Sequence, residues 1–91
     1  MKRHKLKILR RYFEAKLAGI KPFEFRRDDR GFKVGDEIEL VEIMSTGISE
    51  PIETGRTYVE RITYILRSTD DSQFEGLEVG YAVLGTEPVD R

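Results

Sequence analysis

Hydrophobic positions along the chain first alternate and then change to a helical spacing. Residues 4–8 alternate between apolar and polar side chains, which predicts a short strand with Leu6 and Ile8 on one side. Over residues 9–18 the apolar residues recur at the spacing of one helix face. These apolar positions are Leu9, Tyr12, Phe13 and Leu17. The charged residues of the predicted helix fall on its other faces: Arg10, Arg11, Glu14 and Lys16. Gly19 follows, and glycine commonly ends a helix because it adopts positive φ without strain.

The rest of the pattern predicts short strands separated by turns. Pro22 prevents further helix, and the alternating residues 23–26 predict a strand with Phe23 and Phe25 anchored on the core. Further strands are predicted over residues 37–43, 57–66 and 81–84 or slightly beyond. Turns are predicted at 28–31, 33–36 and 68–76, and a loop over 45–55. Residues 87–91 have the pattern of a disordered tail. One helix and several short strands indicate an α+β domain built on a small, curled antiparallel sheet. Closure of this sheet into a barrel would remove its exposed edges.

Composition bounds the kind of protein. Ninety-one residues, 38% apolar and 36% charged, indicate one domain, residues 1–91, with a thin core filled largely by Phe and Tyr. Tyr58 and Tyr64 are expected to be structural. The absence of cysteine and the single histidine exclude thiolate and histidine-rich metal sites, so we expect no metal and no cofactor. No apolar run is long enough for a signal peptide or a membrane span, which favours a cytoplasmic protein.

Charge is divided between the two parts of the chain. Residues 1–33 carry a net charge of +8 and residues 34–91 a net charge of −9, and the first eleven residues hold six basic side chains and no acid. Such a division is typical of a face for an anionic partner, and equally of two parts that neutralise each other across the fold. The acidic residues 36–53 supply a further alternative, a surface for a protein partner.

Residues 19–26 have the form GxKxxExR and carry the candidate chemistry. In a strand, Glu24 and Arg26 project from the same face, with Lys21 at its start. Arginine offers a fork for phosphate or a base edge, lysine a point charge, and glutamate an acceptor for exocyclic amines. The alternative is a surface Glu–Arg pair worth less than about 1 kcal/mol, which the spacing alone favours.

This segment resembles the signature of the ASCH domains, which are related to the PUA domains of RNA-modifying enzymes. The resemblance extends in order through residues 4–8, 12–13, 27–32, 34–36, 54–56, 62–66 and 80–81. It implies a small PUA-like antiparallel β-barrel with an N-terminal helix and, beside that helix, a cleft that binds RNA or a nucleotide-like ligand. The cleft residues that the resemblance implies are Gly19, Lys21, Glu24 and Arg26. To these we add two neighbouring cations, Arg30 and Arg56.

An enzyme is the alternative to an RNA-binding module. Some small ASCH proteins resemble amidohydrolases that act on acetylated cytidine nucleosides, with a lysine, a hydroxyl residue and a distant glutamate in the cleft. Lys21 matches that lysine, whereas Glu24 stands where threonine is expected. The candidates for the distant glutamate are Glu75 and Glu78. If the protein is an enzyme, Lys21 and Glu24 are its candidate catalytic residues; the RNA-binding interpretation is the preferred one.

Overall fold

The computed structural model describes residues 1–69 and 75–89, which form one short helix and one five-stranded sheet. The elements in chain order are β1 (Arg3–Leu9), α1 (Arg10–Leu17), β2 (Phe23–Arg27), β3 (Glu37–Met44), β4 (Ile52–Arg67) and β5 (Tyr81–Pro88). The sheet curls into a half-barrel, so the expected small α+β fold is confirmed.

The strand order is β1-β3-β4-β5-β2, which leaves β1 and β2 at the two edges of the sheet. β1 pairs with β3 in parallel, whereas the other three neighbouring pairs are antiparallel. The prediction of a wholly antiparallel sheet is therefore wrong for this pair. The chain between β1 and β3 contains α1 and β2, and a crossover of this length can return the chain to the same end of the sheet, as a parallel pair requires.

The core lies on the concave side of the half-barrel. Alternation in β1 buries His4, Leu6 and Ile8 and exposes the residues between them, as predicted. In β3, Ile38 and Leu40 are fully buried, also as predicted. The core side chains are Leu6, Ile8, Phe13, Phe32, Ile38, Leu40, Ile62, Ala82 and Leu84. The helix packs against β1 and β3 and covers part of this concave surface.

The buried face of α1 differs from the predicted one. Phe13 is buried, but Tyr12 and Leu17 are exposed, and Lys16 is buried in place of Leu17. Residues three apart lie on the same face of a helix, so Phe13 and Lys16 enter the half-barrel together. The prediction of an outward Lys16 is wrong because carboxylates inside the half-barrel bind its ammonium group, as described below.

Gly19 ends α1 as predicted. Its φ is +75°, and its N–H donates to the carbonyl of Lys16 while the N–H of Ile20 donates to the carbonyl of Ala15. These two hydrogen bonds define a Schellman motif, which requires the left-handed conformation at the glycine. The motif turns the chain from α1 towards β2, and so it fixes where the segment with Lys21 and Glu24 begins.

All five strands extend beyond their predicted limits, and β4 and β5 do so by the most. β4 begins at Ile52, inside the predicted loop, and β5 continues to Pro88, inside the predicted tail. Gly55 lies within β4 at a φ of +94°, where the pairing with β3 shifts register between Val41 and Ile43. The sequence pattern missed the start of β4 because this irregularity interrupts the alternation. Residues 70–74 of the predicted turn and 90–91 of the predicted tail lie outside the described residues.

The aromatic residues divide between core and surface differently from the prediction. Phe13 and Phe32 are buried, and Tyr58 packs against the core, as expected. Tyr64 is 65% exposed, so its predicted structural role is wrong. Phe23 and Phe25 are also exposed.

We expect Gly19→Ala to lower the free energy of unfolding by about 1–2 kcal/mol, because an L-residue with a Cβ is strained at positive φ. Gly19→Asn should lose less, since asparagine tolerates this conformation. Urea unfolding followed by circular dichroism measures both. Equal stability of the alanine variant and the unsubstituted protein would contradict the role assigned to this turn.

Candidate functional site

An open groove of about 370 Å³ lies between the two edge strands of the half-barrel, beside α1. β1 supplies one wall and β2 the other, and Tyr12 from the first turn of α1 and Lys21 from the segment before β2 complete the lining. The groove is lined by Lys7, Ile8, Leu9, Tyr12, Lys21, Phe23, Glu24, Phe25 and Arg26. The groove therefore contains three of the predicted site residues: Lys21, Glu24 and Arg26.

β2 has the opposite orientation from the predicted one. Glu24 is only 2% exposed, whereas Phe23 and Phe25 face outwards. Phe25 stacks on Tyr81 of the neighbouring strand with ring centroids 5.5 Å apart. Glu24 and Arg26 do share a face, as predicted, but that face is the concave one. The inward carboxylate is tolerated because cations surround it.

The carboxylate of Glu24 is bound on both of its oxygens. Oε1 accepts hydrogen bonds from Nε and Nη2 of Arg26, at 3.0 and 2.8 Å. Oε2 accepts from Nζ of Lys21 at 2.7 Å, and Nζ of Lys16 lies 3.5 Å from the same atom. A carboxylate offers about four acceptor positions. Glu24 thus has little capacity left for a ligand's amine, and its role is to hold Lys21 and Arg26 at the groove.

Lys16 connects this carboxylate to a second buried one. Its side chain is fully buried, and Nζ donates to Oγ1 of Thr86 at 2.8 Å. Oε1 of Glu60 lies 2.8 Å from the same Nζ, and this atom accepts no regular hydrogen bond from the described residues. A buried carboxylate without a counter-charge is very costly. Lys16 therefore compensates Glu60 directly and Glu24 from behind the groove.

Burial and the neighbouring cations shift the pKa of Glu24 in opposite directions. Burial is the largest single influence and acts to raise the pKa. The hydrogen bond from Lys21 and the charges of Arg26, Lys21 and Lys16 together outweigh burial, and the pKa of Glu24 lies below its usual value. Glu24 is accordingly ionised at neutral pH and draws both groove cations towards itself.

Aromatic rings flank the ammonium group of Lys21. Nζ lies 5.3 Å from the ring centroid of Tyr12 and 5.1 Å from that of Phe23, distances typical of cation–π contacts. Nζ also donates to the carbonyl of Phe23 at 3.2 Å. Tyr12, Phe23 and Phe25 keep 39%, 43% and 56% of their surface exposed, so the groove presents aromatic faces beside its cations.

Arg26 bridges the two walls of the groove. Besides its bonds to Glu24, Nη2 donates to the carbonyl of Lys7 in β1 at 2.9 Å. β1 and β2 are the sheet edges, and no backbone ladder joins them in the described part of the chain. This side-chain bond consequently holds together two strands that a closed barrel would pair directly.

The remaining predicted site residues lie elsewhere. Gly19 and Arg56 are not among the described residues that line the groove, and neither is Arg30. Arg56 instead donates from Nε to Oε1 and from Nη2 to Oε2 of Glu42, at 2.9 and 2.6 Å, and also contacts Glu14 of α1. Its guanidinium covers the ring of Phe13, with 4.9 Å to the centroid. Arg56 thus fastens the helix to the sheet, away from the groove.

The Arg56 cluster shifts two pKa values. Hydrogen bonds from Arg56 and Thr54 lower the pKa of Glu42 to about 2, although burial opposes this. The same contact with Glu42, followed by that with Glu14, raises the pKa of Arg56 above its usual value. Both side chains therefore stay charged across the neutral range.

Sequence reasoning missed several residues of the site. Lys7 and Tyr12 line the groove, and Lys16, which pairs with Glu60, lies 3.5 Å from Glu24 inside the half-barrel. The sequence does contain one indication of this pair. Glu60 lies two residues from Ile62 in a predicted strand, so the two side chains share a face, and a buried Ile62 implies a buried carboxylate that needs a cation. The partner, Lys16, is three residues from buried Phe13 and thus on the same helix face.

We expect Lys16→Met to lower the free energy of unfolding by about 3–5 kcal/mol, because it leaves Glu60 as a buried charge without a partner. Adding Glu60→Gln should recover part of the loss. Lys5→Met, at an exposed position of β1, is the control and should change stability by less than about 0.5 kcal/mol. Equal effects of Lys16→Met and Lys5→Met in urea unfolding would show that the buried ion pair is unimportant.

The lowered pKa of Glu42 predicts a specific dependence on acid. Its pKa is about 2 in the folded protein against an ordinary 4.5, so its contribution to stability is complete above about pH 4.5 and is lost as the pH falls towards 2. Glu42→Gln removes that contribution. The stability difference between the unsubstituted protein and Glu42→Gln should therefore shrink between about pH 5 and about pH 2.5.

Glu50→Gln, in the exposed loop after β3, is the control for this measurement and should show no such trend. Urea unfolding at each pH provides the free energies. A difference that stays constant with pH would contradict the assigned Glu42–Arg56 interaction.

The described residues contain neither a candidate metal site nor a candidate membrane-spanning helix. Within residues 1–69 and 75–89, no group of three His, Cys, Asp or Glu side chains could hold a metal ion. No helix in that part of the chain combines the length and apolar character needed to cross a membrane.

Comparison with known proteins gives one family and no curated relative. No curated protein matches the chain. A family model described as "Domain of unknown function (DUF3850)" matches residues 3–86, which include every strand from β1 to most of β5 and the whole groove. The chain belongs to the DUF3850 family.

Proposed function

We propose that this domain binds RNA, or a nucleotide-like ligand, in the groove between β1 and β2. The observation that carries the proposal is the position of Lys21 and Arg26, which Glu24 holds together in a groove with three exposed aromatic rings. Cations recognise phosphate and aromatic faces stack on bases, so the groove combines the two contacts that a nucleotide needs.

The dimensions of the groove support a small flat ligand. Its volume of about 370 Å³ falls within the range of about 300–1,000 Å³ that is common for small-molecule sites. Tyr12, Phe23 and Phe25 offer exposed rings there. Every base has a face that can stack on such rings, at about 1–3 kcal/mol per base. An unpaired base is therefore the expected occupant.

Charge supports an anionic ligand. Lys7, Lys21 and Arg26 line the groove with three positive charges, against the one negative charge of Glu24. Lys5 projects from the same exposed face of β1 as Lys7, and Arg3 follows on that face but pairs with Glu37. This cationic row begins at the groove wall and would attract a nucleic-acid backbone.

The proposal agrees with a PUA-like fold of the ASCH type. The sequence resemblance implied a barrel with a cleft beside its first helix, and the half-barrel has one helix near its start and a groove beside that helix. We accordingly propose that this half-barrel is PUA-like. The family description itself names no function.

The contacts of Glu24 favour binding over the amidohydrolase alternative. A general base works best when its pKa lies near the operating pH. The pKa of Glu24 is lowered, and its two oxygens are already occupied by cations. Glu75 and Glu78, the candidates for a distant glutamate, are exposed and are not among the described residues that line the groove.

Lys21→Gln should weaken binding of a fluorescein-labelled, random-sequence RNA hexamer about tenfold at low salt, because it removes a phosphate contact. Arg61→Gln is the control, since this exposed arginine pairs with Glu87 and does not line the groove. Fluorescence anisotropy titrations measure both affinities. No binding by the unsubstituted protein at low salt, or equal weakening by both variants, would contradict the proposal.

A further inference from the structure

A second, smaller hollow follows the groove along the seam between β1 and β2. Its volume is about 160 Å³, and Arg26 lines both spaces. The residues that line the second hollow are Leu6, Arg26, Arg27, Asp29, Arg30 and Phe32. It was not part of the proposed nucleotide groove, although Arg30 was a candidate from the sequence.

Two guanidinium groups lie side by side on the edge of β1 at this hollow. Nη2 of Arg26 donates to the carbonyl of Lys7 at 2.9 Å, and Nη1 of Arg30 donates to the carbonyl of Lys5 at 3.2 Å. These two carbonyls are two residues apart on one strand, a separation of about 7 Å. The two arginines are thus anchored by the same strand at neighbouring positions.

Both guanidinium groups retain donors. Nη1 of Arg26 and Nη2 of Arg30 make no hydrogen bond to any of the described residues. Arg27 also keeps donors that bond to none of the described residues, but its guanidinium lies towards β5, 5.3 Å from the ring centroid of Tyr81, and donates to the hydroxyl of that residue. Arg26 and Arg30 are therefore the donors for a ligand, and Arg27 adds positive charge.

The surroundings of the hollow suit an anion. Buried Leu6 and Phe32 form an apolar floor, which excludes water from below and strengthens electrostatic attraction. Among the lining residues one acid faces three arginines: Asp29, whose Oδ1 lies 3.9 Å from Nε of Arg30 and whose side chain is more than half exposed. Arg26 is also paired with Glu24, outside the lining of this hollow. Water screens such an exposed pair, so Asp29 neutralises Arg30 only in part.

We propose that this second hollow is a phosphate subsite for the nucleotide next to the one in the groove. The proposal rests on the proposed function of the groove. At about 160 Å³ the hollow is smaller than sites for drug-sized ligands, but a phosphate group carries the acceptor oxygens that two arginines can bind. The ligand is then a strand of at least two nucleotides that lies along the seam, with Arg26 between base and phosphate.

Arg30→Gln tests the subsite, with Arg61→Gln as the matched control at another exposed arginine that pairs with one acid. The probes are the random-sequence RNA hexamer and a mixture of the four nucleoside monophosphates. Arg30→Gln should weaken the hexamer about tenfold and reduce the slope of log affinity against log salt by about 0.7. It should leave monophosphate affinity unchanged, because the monophosphate occupies only the groove. Arg61→Gln should alter neither.

The outcomes separate the subsite from the groove. A hexamer affinity and salt slope unchanged by Arg30→Gln would overturn the subsite while the groove still binds. Equal weakening of hexamer and monophosphates would also overturn it, since Arg30 would then belong to the groove. If the unsubstituted protein binds neither probe, the proposed function fails, and the subsite fails with it.

Discussion

The arrangement of the groove depends on one buried carboxylate. Glu24 points into the half-barrel and remains ionised, which is possible because Lys16, Lys21 and Arg26 all lie close to its oxygens. In turn, the charge of Glu24 fixes the positions of the two cations that face the groove. Helix, turn and edge strand are consequently joined at a single charged group, and a change there alters all three.

The second feature that shapes the molecule is an unclosed seam. A sheet closed into a barrel pairs its edge strands and removes their free backbone groups. Here Arg26 and Arg30 cover two carbonyls of β1 with side chains instead. Because these side chains span the distance between β1 and β2, the two strands stay apart. The space between them forms the groove and the second hollow. Both arginines belong to the basic part of the chain, residues 1–33.

Local sequence patterns predicted where the helix and strands lie better than which of their faces is buried. β1, the helix and its end at Gly19 follow from spacing and from the conformational freedom of glycine, both of which are local properties. The orientation of β2 does not follow from hydrophobicity, which places Phe23 and Phe25 inward. Its actual orientation depends on the cations around Glu24, one of which, Lys16, comes from the helix.

The candidate site shows the same limit. The motif predicted Lys21, Glu24 and Arg26 as site residues, and these residues, which are close in sequence, are also in contact in the structure. Arg56 was a plausible neighbour by charge, but its partners, Glu14 and Glu42, are 42 and 14 residues away in the chain. Long-range pairing of charges is not encoded in any short pattern, and so the sequence could not place this arginine.

A crystal structure of the protein with bound cytidine 5′-monophosphate tests the central claim most directly, namely that Glu24 organises the groove and leaves ligand contacts to its cations. The account predicts phosphate oxygens on Lys21 or Arg26, the base against Tyr12, Phe23 or Phe25, and Glu24 still bound to both cations. A nucleotide whose amine binds the carboxylate of Glu24, with Lys21 and Arg26 turned away from the ligand, would contradict it.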